Sequence, residues 1–599
     1  MATGLARVSD EFRGLEGKVF LSRRENGIEQ TDYRFALDGA AIIRDTLISS
    51  SSELENFLAT TRVSSPHQFA DWWGENAKNP HALFILHSPT ERAFIVPDPL
   101  GAAPIFHYSN SGINVYSADL EAAVSFVEYL GLKLTKSTEF QLQRVVLGNG
   151  GYNASPYEEI TTFDPFHYFE ITESGFSAHQ YSVFNQLNEP YSYIGEMTRL
   201  RQDLLSSVRA VANAGKNVKI SHITGGFDSR LLLSLILELD AKDEFDFFCS
   251  GPVGAADRIV ADSITRQFGL SRTNKAGLSP GPTDSRIEQL FAPLFFSHGI
   301  SATGPNGREE KSGILAVGGG YGGLLRSTFG ARMQGLSTES PAQHVFSKFD
   351  PYYKHDSSIL SDASLSKISE SLRYEWQKLG RFYNDPSQFG DALYLHIRNK
   401  YHFGYNAMQW SRIGTRVDPL YSVNGYFLSL RSTPEVRASN QIGYDLLAAA
   451  STKLLEIPFD KPKFDHELIS RSRPTIATKS TMKWTPEVYS NIDDPAFNNS
   501  SVLPQSVLKY SFTDSPASPS LRKEFIEKAN KIGLNYWQIA NMGSAQGILS
   551  QAILSGNLDD FQRSLPPNFL HKLATKELVT RVEIRNLYSA LGAALWLND

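Results

Sequence analysis

Six consecutive residues, Thr224, Gly225, Gly226, Phe227, Asp228 and Ser229, bring together two hydroxyls, two glycines and a carboxylate. They follow an apolar run beginning at Val218 and precede a helical pattern ending at Leu239. Amides freed at a helix start, with the positive end of the helix dipole behind them, attract anions. Glycines let a ligand approach the backbone, and the hydroxyls can donate to phosphate oxygens. Asp228 would repel phosphate unless a Mg²⁺ stood between them. The stretch therefore suits a nucleoside triphosphate or pyrophosphate, with Thr224, Gly225, Gly226, Phe227, Asp228 and Ser229 as its cradle and Asp228 as metal ligand. A plainer reading is a tight Gly-Gly turn with Asp or Ser capping a helix. The lysine of the common P-loop pattern is absent.

Such a loop needs a parallel sheet behind it. A helix over Gly195–Ala212, a strand over Val218–Ile223, a helix over Ser229–Leu239, a strand over Phe245–Cys249 and a helix over Asp257–Phe268 alternate, as in doubly wound α/β folds. A further strand, GILAV, ends at Val317, and residues 362–432 read mostly as helix. Residues 1–187 are strand-rich, with VFLSRR, ALFILH, RAFIVPD, IFHYS, INVYSA and YFEIT broken by turns, and helical patterns at Ser52–Thr60 and Pro66–Asn76. Three units are expected: 1–187, 195–457, and 458–599, an irregular segment followed by helices.

The 599-residue chain is 41% apolar with a net charge of −6, which gives no general attraction to nucleic acid or anionic membrane. The 37 Phe and 25 Tyr argue for large packed cores. One cysteine, Cys249, excludes an internal disulfide and a multi-cysteine zinc site. No apolar run reaches the length of a membrane span, and the first residues lack the apolar core of a signal peptide. A soluble cytoplasmic protein is expected.

TGGFDSR resembles the SGGxDS pyrophosphate loop of ATP pyrophosphatases, and the chain as a whole resembles the asparagine synthetase family. FDFFCSGPVGAADRIVADSITRQFGL resembles that family's second ATP-site element, with Ser250 and Asp257 at the nucleotide. WSRIGTRVDPLYS resembles its EvRvPFLD segment, with Arg416 and Asp418 matching. PDPLGAAPIFHY and VYSADLEAA resemble motifs of its N-terminal domain. The resemblance spans about residues 15–460 and implies an N-terminal-nucleophile (Ntn) type α-β-β-α sandwich. A doubly wound, parallel-sheet ATP pyrophosphatase (adenine nucleotide α-hydrolase-like) domain would follow, with a helical C-terminal extension. Glutamine-dependent members carry Cys after the initiator Met, whereas residue 2 here is Ala, so no ammonia is expected from this domain. The same loss marks the family's β-lactam synthetases and lasso-peptide cyclases.

Gly318, Gly320 and Gly323 match a dinucleotide fingerprint, a weak signal when alone. Aligned instead with the family, GGYGGLLR places Tyr321 where the cyclases carry a catalytic tyrosine, and Leu324 where the family has a Mg²⁺-binding aspartate. Gly318 and Gly320 then border the nucleotide. Glu309 and Glu310 are candidates to replace that acid. Arg326 could hold pyrophosphate or a substrate carboxylate. The family's pyrophosphate-steadying lysine has no obvious match, leaving Lys453, Lys461, Lys463, Lys479 and Lys483 by elimination. The resemblance implies ATP- and Mg²⁺-dependent amide-bond formation through an acyl-adenylate, with Asp228, Tyr321 and Arg326 in catalysis. The expected substrate is a carboxylate, peptide or peptide-derived, closed on its own amine. A nucleotide-binding scaffold without catalysis and ammonia-dependent amidation of a small acid are the alternatives. The C-terminal helices would brace the synthetase unit, or bind substrate or a pathway partner protein.

Overall fold

The computed structural model describes residues 19–22, 28–30, 33–61, 65–87, 92–110, 112–147, 154–172, 175–215, 218–249, 256–273, 286–302, 304–305, 313–328, 386–411, 414–472, 503–508, 519–534, 536–554 and 558–599, with isolated helical positions at 366, 370 and 374. It is a mixed α/β structure with antiparallel and parallel sheets.

The N-terminal region contains a six-stranded antiparallel sheet in the order Gly175–Gln180, His167–Thr172, Arg92–Pro97, His81–His87, Tyr33–Gly39, Ile28–Gln30. Its residues alternate strictly between two cores, as the two-residue strand period requires. Ala36, Ala82, Phe84, Ala93, Ile95 and Phe169 join Tyr116, Phe163 and Ile105 in one core. Phe35, Leu37, Leu83, Ile85, Phe94 and Val96 join Leu54, Leu58, Phe69 and Trp73 of the helices Ser51–Ala59 and Pro66–Asn76 in another. A second sheet, ordered Val19–Ser22, Ile113–Ser117, Phe106–Asn110, Ile160–Thr162, lies on the first core. Its other face, through Phe106, Tyr108 and Val115, packs on Leu120, Val124, Val127 and Phe140 of the helices Leu120–Tyr129 and Thr138–Leu147. The layers thus run helix, sheet, sheet, helix. Phe163 and Phe169 stack across the middle with ring centroids 4.0 Å apart.

The C-terminal half is built on a four-stranded, wholly parallel sheet ordered Asp246–Phe248, Val218–His222, Ile314–Val317, Thr415–Val417. The helices Tyr193–Ala212, Phe227–Glu238 and Ala256–Phe268 fall within a few residues of their expected bounds. The expected helical stretch 362–432 is helical in part, at Pro386–Trp410 and Val423–Arg431, but it also carries the edge strand Thr415–Val417. That strand is three residues long, too short for its period to show.

The last helix, Arg581–Leu597, starts in a Thr580/Glu583 capping box. It packs on Thr138–Leu147 and Arg286–Phe296, where a Cβ at Gly592 would meet Leu294 at 3.1 Å and Arg144 at 3.6 Å. Lys136 sits over the Trp596 ring at 4.8 Å and donates to the Trp596 carbonyl at 2.9 Å. The C-terminal helix therefore braces the N-terminal layers, not the parallel sheet alone. No described helix is long and apolar enough to cross a membrane.

Candidate functional site

The strand order reverses between Val218–His222 and Ile314–Val317. The first strand leads by its loop to one side of the sheet, and the later strands add on the other. In open parallel sheets the crevice for a ligand opens beyond the carboxyl ends of the strands at such a switch point. The two loops leaving these ends are Thr224–Ser229 and Gly318–Gly323, the stretches singled out by their composition.

The first loop is tied by its own side chains. Ser229 Oγ accepts from the Thr224 amide at 3.1 Å and lies 3.0 Å from Thr224 Oγ1, which accepts from the Gly226 amide at 3.0 Å. Asp257, at the start of the next helix, accepts from the Gly225 amide at 3.0 Å. So three amides that the sequence suggests for a ligand are already engaged. The helix itself begins at Gly226 with no side-chain cap, leaving its dipole end free of a competing side-chain acceptor. A Cβ at Gly226 would meet only Thr224 Oγ1, at 3.1 Å, so the loop is open on its outer side.

Asp228 stands between the two loops. A Cβ at Gly322 would lie 2.5 Å from Asp228 Oδ1, and one at Gly319 would lie 3.1 Å from its carbonyl, so glycine is needed there for close approach. Asp228 Oδ1 is buried and has no hydrogen-bond partner among the described residues; Arg326 Nη2 is 3.5 Å away. Burial pushes this carboxyl above the usual range, and Arg326 and Lys463 pull it back. Tyr394 lies in the same field, influenced by Arg398, Asp228 and Arg326. Lys463 pairs with Asp460 at 3.0 Å, and the Asp460 amide donates to the Gly225 carbonyl at 3.0 Å.

Arg230 explains how residues 457–463 reach the loop. Its fully buried guanidinium donates to the carbonyls of Leu454 at 3.0 Å, Ile457 at 2.6 Å and Pro458 at 2.9 Å, and lies 3.6 Å from the Phe459 ring centroid. Arg230 and Asp460 carry no signal of this role in the sequence, because each depends on contacts over long chain separations. Of the five lysines open by elimination, Lys463 lies at the site, Lys461 and Lys453 are exposed nearby in the chain, and Lys479 and Lys483 lie outside the described residues. Ser250, Glu309 and Glu310 also lie outside them.

The second loop is filled from below. A Cβ at Gly318 would meet Asp418 Oδ1 at 2.2 Å, and one at Gly320 would meet the Phe403 ring at 2.5 Å. The Gly320 amide donates to Asp418 Oδ1 at 3.0 Å, and Arg416 Nε lies 3.4 Å from Asp418 Oδ2. Only a single 3₁₀ turn, Gly322–Leu325, follows. A dinucleotide fingerprint needs a helix opening here and bare glycine backbone, so that reading does not fit. Leu324 points into the core and ligates nothing. Tyr321 is fully buried between Tyr421 and Phe403, and its hydroxyl has no hydrogen-bond partner among the described residues. Burial and the nearby Asp418 raise its pKa well above the usual phenol value.

The N-terminal layers reach this floor directly. Tyr421 donates to Asp98 Oδ1 at 2.7 Å and accepts from the Leu100 amide at 3.1 Å. Asp98 also takes the Ala102 and Ala103 amides, at 2.9 and 2.7 Å. Asn79 accepts from the Asp418 amide at 2.8 Å and donates to the Ala40 carbonyl at 2.7 Å. The two Asp-Pro-Leu segments, 98–100 and 418–420, are thus wired together beneath the candidate site.

No protein-family model matches the chain, and no curated protein matches it. Among solved structures 26 chains match. One is glutamine phosphoribosylpyrophosphate amidotransferase from B. subtilis complexed with ADP and GMP, 10% identical, with a TM-score of 0.15. The match covers 48% of this chain and 56% of that one.

Cys249, at the end of the edge strand, is buried, and its thiol is pushed up to about 12, so it is no nucleophile at neutral pH. His222 is held neutral, down to about 4, by burial and by Arg416.

Proposed function

We propose that the chain is an ATP-dependent amide-forming enzyme of asparagine-synthetase type, joining a carboxylate, peptide or peptide-derived, to an amine of the same molecule. One observation carries the reading. Asp228, whose Oδ1 has no hydrogen bond among the described residues and pairs only loosely with Arg326 at 3.5 Å, sits at the switch point of a parallel sheet with Lys463 in its field, beside an uncapped helix start. The residues fit Mg²⁺, which uses one or two protein carboxylates and otherwise phosphates and water. Asp228 would hold the ion, which would supply neutralisation of the triphosphate charge.

In this reading the start of helix Phe227–Glu238 and the Thr224 and Ser229 hydroxyls hold the phosphates, displacing the hydroxyls from their present partners. Lys463 exchanges Asp460 for a phosphate oxygen, and Arg326 exchanges Asp228 for pyrophosphate. A substrate carboxylate oxygen bonds to the α-phosphorus as the bond to the β-phosphate oxygen breaks, releasing pyrophosphate. The amine then bonds to the acyl carbon, AMP leaves with the electron pair, and the amine proton is lost. Fixed cations aimed at the charge that develops on the leaving pyrophosphate lower the barrier without reorganisation.

Pyrophosphate release with ATP, Mg²⁺ and a panel of peptide carboxylates is the test. Activity should fall at least about 100-fold in Asp228→Asn, and bound ATP with no release from any acid, or with added ammonium, would overturn the reading. That negative result would favour a nucleotide-binding scaffold. The observations on that side are Leu324 buried where a second metal ligand is expected and the loop amides engaged by Asp257 and Thr224.

A further inference from the structure

On the outer helix-facing side of the six-stranded sheet, far in sequence from the candidate site, three metal-ligating side chains converge. His67 is the second residue of the helix Pro66–Asn76, Glu170 lies in the strand His167–Thr172, and His179 lies in the edge strand Gly175–Gln180. Tyr168 and Glu170 are two residues apart and share a face, and the register sets His179 opposite Tyr168. One ligand atom from each of the three lies within 4.8 Å of the others.

The spacing is informative. Glu170 Oε2 is 3.5 Å from His67 Nε2 and 3.6 Å from His179 Nε2. A direct hydrogen bond between these groups would close to roughly 2.7–3.0 Å. Tetrahedral ligands about 2.1 Å from a zinc ion stand about 3.4 Å from one another. The two edges that meet at Glu170 are therefore held open at the width of a zinc coordination edge, and the third, between the histidines, is within 4.8 Å. His179 Nε2 is buried and, beyond the 3.6 Å contact to Glu170, has no hydrogen-bond partner among the described residues.

The surroundings orient these atoms. His67 Nδ1 is 3.3 Å from the Tyr168 hydroxyl, a contact that leaves the Nε2 lone pair facing inward when Nδ1 carries the proton. The Tyr168 ring stacks on His179 at 5.1 Å. Arg92 Nη1 donates to the other oxygen, Glu170 Oε1, at 2.8 Å, so Oε2 alone faces the imidazoles. Two imidazoles and one carboxylate suit zinc and not Mg²⁺ or Ca²⁺. The histidine side chains are 39% and 34% exposed, so the site lies near the surface.

We propose that His67, Glu170 and His179 form a zinc site that clips the helix Pro66–Asn76 to the edge hairpin His167–Gln180. An ion bound only by the folded chain stabilises it by mass action.

The untagged full-length chain, stripped with EDTA and repleted with zinc, should retain one zinc per chain after gel filtration, measured by elemental analysis. Its melting temperature should rise with zinc, and Co²⁺ should give the visible bands of a tetrahedral site. His179→Ala and His67→Ala should each abolish all three signals while keeping the wild-type circular dichroism. Tyr168→Phe should weaken zinc about tenfold by freeing His67 to rotate. No retained zinc would overturn the proposal, as would equal retention by the double variant of His67 and His179. Stability that varies with pH but not with zinc would also overturn it, leaving simple imidazolium–carboxylate pairs.

Discussion

Replacing Arg230 by methionine should loosen the segment that brings Asp460 and Lys463 to the phosphate loop. The guanidinium makes three hydrogen bonds of 2.6–3.0 Å to carbonyls of residues 454–458, and all of them vanish in the variant. A buried carbonyl left unpaired costs roughly 1–3 kcal/mol, and the methionine regains part of the packing on Phe459. The desolvation cost of the buried charge is also relieved. Together these give a loss of about 3 kcal/mol. Arg230→Lys should recover only part of it, since one ammonium cannot reproduce a fork spread over three acceptors. Urea unfolding gives the stability, and limited proteolysis reports whether cleavage concentrates near residues 454–463 before global unfolding. Pyrophosphate release should fall further than in Lys463→Ala, because two groups lose their position together. Wild-type stability and wild-type protease resistance in Arg230→Met would refute the reasoning.

His81 offers a pH test. Its Nε2 accepts from the Trp73 indole at 2.8 Å while Nδ1 donates to the Asn79 carbonyl at 2.8 Å, so the ring is neutral and burial holds it near 4, below 6.5. The unfolded chain takes up the proton first, so His81 lowers stability as pH falls from 6.5 to about 4, by about 3 kcal/mol in all. Asp98, raised by burial to about 6, acts with the opposite sign, its contribution falling as pH rises from about 4 to 6. The urea stability of wild type minus His81→Gln isolates the first effect and should decline across that window; a flat difference would refute it. Gly322→Ala puts a methyl 2.5 Å from Asp228 Oδ1 and should move the carboxylate, cutting pyrophosphate release about 100-fold. Gly543→Ala, with nothing within 4 Å of its Cβ, should leave activity unchanged in the same assay. Tyr321→Phe removes a buried hydroxyl with no hydrogen-bond partner among the described residues and should change stability by less than about 1 kcal/mol and leave activity intact; a large drop in turnover would refute this and place the tyrosine in catalysis.

The sequence by itself determined the strand-loop-helix unit around Asp228, because its apolar run, glycines and helical periodicity are local signals. It also determined six of the thirteen described N-terminal strands and the helix Pro66–Asn76, which lies at its expected bounds. It gave no sign of the strand Tyr33–Gly39, which is buried on both faces over Phe35–Asp38, or of Gly175–Gln180, half of whose residues are polar. Tertiary structure alone decided that Leu324 and Tyr321 face the core, that Lys463 acts on Asp228 and both Lys461 and Lys463 on Asp257, and that Arg230 holds the segment leading to them. It alone brought His67 to Glu170 and His179. Periodicity reports which face of an element is buried. What that face meets depends on sheet order and register, which join residues a hundred or more positions apart.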